Sequence, residues 1–102
     1  MATNTPKALY RGAASTNTTT TLYTVPSSTT TIVTNILIAN TSSSQQTFTI
    51  SLDGVSIASA VPVSANSTVA WDIKQVLATT KVIAGGASAT SVNIHISGVE
   101  VA

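Results

Sequence analysis

Chemistry requires titratable or nucleophilic side chains that converge, and this chain supplies few of them. The inventory is Asp53, Asp72, Glu100, His95, Lys7, Lys74, Lys81, Arg11 and the two tyrosines, Tyr10 and Tyr23. A general acid–base pair would have to draw on three scattered carboxylates. His95 has no Asp or Glu within two positions to fix its tautomer. With one histidine and no cysteine, a site of two imidazoles, a thiolate metal centre and a disulfide are all excluded. Serines are plentiful, yet neither a Gly-x-Ser-x-Gly elbow nor a second base to serve a nucleophile is present. The reading is therefore no enzyme, with no catalytic residues, no metal and no cofactor.

Each of these residues also has a plain structural role. Asp53 stands beside Gly54, where a tight turn needs positive φ. Asp72 alternates with Trp71 and Ile73, so it faces solvent or a strand partner, or caps a turn at 73–77. His95 lies between Ile94 and Ile96, on the face opposite the apolar one, beside Asn93 and Ser97. Trp71 and Phe48 fall on core positions. Tyr10 and Tyr23 are the remaining aromatics and the candidate contacts for a surface glycan.

The elements that must position these residues are strands. The chain of 102 residues is 43% hydrophobic and 7% charged, room for one domain. Its 19 threonines and 14 serines put a small neutral hydroxyl on about a third of the positions. A net charge of +1 is too small to steer the chain onto nucleic acid or an anionic membrane, and no run of 18 apolar residues is present to span one. No apolar stretch follows the first cation, so no secretory signal is expected.

The clearest strand is 47–53, where Phe48, Ile50 and Leu52 alternate with small polar residues; Asp53-Gly54 then turns into a second strand over 55–60. Thr30 to Asn40 reads as apolar on both faces, with Ile32, Ile36 and Ile38 on one and Val33, Leu37 and Ala39 on the other. That second face lies under a loop or meets another subunit. Shorter strands are expected over 9–13, 19–25, 68–73 and 80–84, and a last one from about 90 to the end. Loop 41–46 lacks periodicity and is the expected mobile tip. Lys74 to Leu77 breaks the alternation, so at most one helical turn is expected near 73–77. In the last strand the apolar parity changes across Ser97-Gly98, which predicts a bulge or bend at Gly98. The sum is an all-β protein of about eight short strands, an antiparallel β-sandwich of jelly-roll-like form over 9–102. Residues 1–8, with Pro6 and Lys7, read as a flexible amino-terminal arm, either frayed or ordered against a neighbour.

The segment Leu22-Tyr23-Thr24-Val25-Pro26, a Ser/Thr run, then Ile32 through Thr41 resembles one found in small virion-associated proteins of tailed bacteriophages. Ser51-Leu52-Asp53-Gly54-Val55 and His95-Ile96-Ser97-Gly98-Val99 suit the same group, and the resemblance covers roughly residues 20–101. It implies a multi-copy structural part of a virion, made in the bacterial host cytoplasm. Capsid decoration leads, docking on the major capsid protein or other virion proteins; a tail, neck or fibre component and a carbohydrate-binding adhesion module are the alternatives. The resemblance implies a homo-oligomer, with a trimer favoured. The candidate interface residues are Pro6, Lys7, Val33, Leu37 and Ala39.

Overall fold

A computed structural model describes residues 3–102 and resolves them into strands joined by turns. Eight strands follow in order: β1 (Asn4–Ala13), β2 (Thr21–Thr24), β3 (Thr30–Asn40), β4 (Gln46–Leu52), β5 (Val55–Val63), β6 (Thr68–Leu77), β7 (Val82–Ala87) and β8 (Val92–Val101). They form two four-stranded sheets in the orders β1-β8-β3-β6 and β2-β7-β4-β5. All pairings are antiparallel, and β1 pairs β8, β2 pairs β7, β3 pairs β6 and β4 pairs β5. That nested winding is the jelly roll expected from the strand count and turn spacing. No helix long and apolar enough to cross a membrane occurs among the described residues.

The core lies between the sheets. β4 buries Phe48, Ile50 and Leu52 by strict alternation, and β8 buries Val92, Ile94 and Ile96 from the opposite sheet. Phe48 meets Trp71 of β6 with ring centroids 5.4 Å apart at 57°, a tilted contact across the sandwich. The β4–β5 hairpin turns on Asp53 (φ 55°) and Gly54 (φ 75°), the pair of positive φ values that a two-residue turn demands.

The edges of both sheets are irregular, which discourages open-ended pairing with other chains. β2 is four residues long. β5 shifts register twice against β4 and carries Ala60 at positive φ and Pro62 at its exposed end.

One level of the β1-β8-β3-β6 sheet departs from regular pairing. Between the partners of Ile96 and those of Gly98, β8 advances two residues, β1 and β3 three, and β6 four. The strands fan away from β8 and the sheet bends there. The irregularity predicted at Gly98 thus occurs at its level, but the extra residues belong to the neighbouring strands. β8 itself alternates without a break, so Val99 and Val101 face outward and Glu100 faces in. Gly98 is needed because a Cβ there would lie 2.3 Å from the Ile32 carbonyl oxygen.

Three further expectations are corrected. The parity of β3 changes at Thr34, so Val33 joins the core while Ile32 turns out, the reverse of the assignment made from strict alternation. No helical turn forms at 73–77: Gln75, Val76 and Leu77 continue β6 against Val33, Ile32 and Thr31. The interrupted apolar pattern there reflects Val76 facing outward, with 68% of its surface exposed. The expected arm over 1–8 is, from Asn4 onward, the first half of β1, paired with Val101 through Ser97. Met1 and Ala2 lie outside the described residues.

Candidate functional site

The polar side chains gather in two structural clusters. At one end of the sandwich, the fan in the sheet leaves Glu100 on the inner face of β8. Its carboxylate accepts a hydrogen bond from the Tyr23 hydroxyl, which reaches over from β2 in the other sheet. Lys7 Nζ of β1 stands 3.3 Å from Glu100 Oε2, and Thr31 Oγ1 of β3 lies 2.9 Å from the same tyrosine oxygen. Four strands from both sheets therefore meet at one carboxylate. The Tyr23 hydrogen bond, supported by Lys7 and opposed by burial, holds the Glu100 carboxyl below its ordinary range. Burial, with the Glu100 hydrogen bond and charge, pushes the Tyr23 hydroxyl up, against a smaller opposing contribution from Thr31.

At the other end, buried Asn40 organises two loops. Its amide nitrogen donates to the carbonyls of Ser44 (2.9 Å), Val63 (3.0 Å) and Ser64 (3.2 Å). Its Oδ1 accepts from the Ser42 amide at 3.0 Å and the Ser42 hydroxyl at 2.8 Å. Segment 41–46, expected as a mobile tip, is therefore laced to Asn40 and to the β5–β6 connection. No buried side-chain polar atom among the described residues lacks a hydrogen-bond partner.

The outer face of the β1-β8-β3-β6 sheet differs in character. Register places Pro6, Val99, Ile32 and Val76 side by side in one row across all four strands. The next row is Ala8, Ser97, Asn35 and Asp72; the one after it is Arg11, His95, Leu37 and Ala70. Ala13, Asn93, Ala39 and Thr68 complete the face. Apart from Arg11 and Asp72 it carries small, neutral or apolar groups, which lose little rotamer freedom on contact.

Of the interface residues expected from sequence, Pro6, Leu37 and Ala39 share this outer face. Lys7 and Val33 do not. Lys7 is committed to Glu100, and Val33 is 0% exposed because the bulge at Thr34 turns it inward. The glycan pair also separates. Tyr23 is 9% exposed, with its hydroxyl engaged on both sides, and Tyr10 folds over Gly12 with its hydroxyl donating to the Ala13 carbonyl at 2.9 Å. They form no shared platform.

His95 faces outward as read, between Arg11 and Leu37, and Asp72 faces outward opposite Asn35. Asp53 occupies its turn, 3.6 Å from Lys81 Nζ, with both side chains about half exposed. No group of three metal-ligating residues and no pocket occurs among the described residues.

Sequence reasoning missed Ile32, Val76 and Val99 as surface residues, and Glu100 as a buried one. The alternation of Val99, Glu100 and Val101 carried the signal for Glu100, once β8 is read as unbroken. Comparison with models of known protein families and with curated proteins finds no match for this chain.

Proposed function

We propose that this chain is a non-enzymatic, multi-copy structural protein of a tailed-phage virion, which decorates the capsid shell as a homo-oligomer. The observation that carries the reading is the outer face of the β1-β8-β3-β6 sheet. An apolar row of Pro6, Val99, Ile32 and Val76 crosses all four strands there, flanked by small neutral side chains. Such a face favours contact with another protein surface over solvation.

Two further points support the reading. The Tyr-Thr-Val-Pro and Ala-Asn-Thr segments behind the phage resemblance contain Tyr23 and Asn40, the hubs of the two polar clusters, so the resemblance rests on residues that build the fold. The jelly roll is also an architecture that capsid and lectin domains employ, an argument by analogy of fold alone.

The test is the copy number of the polypeptide in purified particles, by quantitative mass spectrometry against the major capsid protein. A count comparable with the capsid protein is expected. A count far below it would move the protein to the tail or neck, and absence from particles would overturn the virion reading.

A further inference from the structure

We infer that the outer face of the β1-β8-β3-β6 sheet binds the same face of a second copy of this chain, about a two-fold axis parallel to the strands. The inference deepens the assembly reading above by naming the partner of that face.

The argument starts from the two charges that the register assigns to this face. Arg11 stands on edge strand β1 and Asp72 on edge strand β6, both exposed, at opposite sides of the sheet. They occupy adjacent rows, about 6.8 Å apart along the strands at 3.4 Å per residue. A two-fold axis running along the strands, between β8 and β3, lays β1 of one copy over β6 of the other. Each Arg11 then comes within side-chain reach of the partner copy's acid one row away, and the contact occurs twice. An axis across the strands would instead set β1 against β1, with like charge facing like charge.

The same operation keeps every row opposite itself. Ile32 meets the position of Val99, Val76 meets that of Pro6, Asn35 meets that of Ser97, and His95 meets that of Leu37. Apolar rows thus cover apolar rows, and the polar row finds hydrogen-bonding partners, as an isologous interface requires. Face-to-face sheets pack in this aligned manner, about 10 Å apart.

The size is adequate. Four strands at about 4.8 Å spacing and ten residues long present roughly 650 Å² per copy, or about 1,300 Å² in total, within the range of specific interfaces. Arg11 and Asp72 lie at its rim, where charge sets orientation more than affinity.

The experiment is the solution mass of the full chain by light scattering and sedimentation across the micromolar range. A dimer is expected for the wild type. Arg11→Asp and Asp72→Arg should each weaken it about tenfold or more, because like charges then face each other, and the double reversal should restore it. Both side chains are exposed, and far-ultraviolet circular dichroism checks that each variant is folded. A wild-type monomer or trimer, a dimer indifferent to the single reversals, or a double variant that fails to recover would each overturn the inference. Solution mass and particle copy number are independent readouts, so a failure of this interface and a failure of the virion reading are distinguishable.

Discussion

The Tyr23 hydroxyl of one sheet donates its hydrogen bond to the Glu100 carboxylate of the other, and this contact closes the end of the sandwich. Tyr23→Phe leaves the carboxylate with the half-exposed Lys7 alone and removes the partner of Thr31 Oγ1, itself fully buried. A loss of about 1–3 kcal/mol is expected, the usual cost of leaving buried polar groups short of a partner. Urea unfolding followed by the fluorescence of Trp71, the single tryptophan, measures it.

The same contact dictates a pH dependence. Because the Glu100 carboxyl is held below its ordinary range, the folded chain binds fewer protons than the unfolded chain in acid. Its contribution is complete above the ordinary glutamate pKa and is lost as pH falls through the depressed value. Tyr23 behaves oppositely: with its pKa raised, its contribution is complete below the ordinary tyrosine value and fades as pH rises through the shifted one. Unfolding midpoints measured across the pH range should therefore decline at both ends. In Glu100→Gln the acid decline should shrink, since no carboxyl remains at that position to titrate.

Asn40 offers a sharper test than a simple truncation. Asn40→Ala should cost about 2–3 kcal/mol, because three carbonyls and two donors lose a buried partner together. Asn40→Asp should cost more at neutral pH, since a carboxylate would face the carbonyls of Ser44, Val63 and Ser64. Lowering the pH to protonate that aspartate should recover part of the loss, and thermal unfolding of both variants reads the difference.

Gly98→Ala should be among the most damaging small substitutions. The new methyl carbon would lie 2.3 Å from the Ile32 carbonyl oxygen, which is backbone and cannot swing aside. A cost of about 1–3 kcal/mol is expected, as for other overpacked sites. Gly54→Ala is the control: nothing lies within 4 Å of its Cβ, so only the strain of φ 75° remains, about 1 kcal/mol.

The strand content was legible because alternation is a local property. Phe48, Ile50 and Leu52 face one way in any sheet that pairs them, and Asp53-Gly54 turns the chain whatever surrounds it. His95 was placed outward on the same ground, between two isoleucines that both seek the core. The unbroken alternation of Val92, Ile94 and Ile96 likewise marks the inner face of β8.

What faced outward in β3 was not legible, and neither was the burial of Glu100. Both depend on the residue counts of neighbouring strands between two levels of the sheet, two in β8, three in β1 and β3, and four in β6. A strand cannot record in its own sequence where a partner takes an extra residue, yet one such residue exchanges its faces. That exchange sends Val33 into the core, turns Ile32 out beside Val99 and Val76, and leaves Lys7 beside Glu100. The composition and periodicity of this chain determined that it would be a sandwich of short strands with a neutral surface. Only the pairing of β8 with β1 and β3 decided which residues that surface presents, because register is a relation between strands.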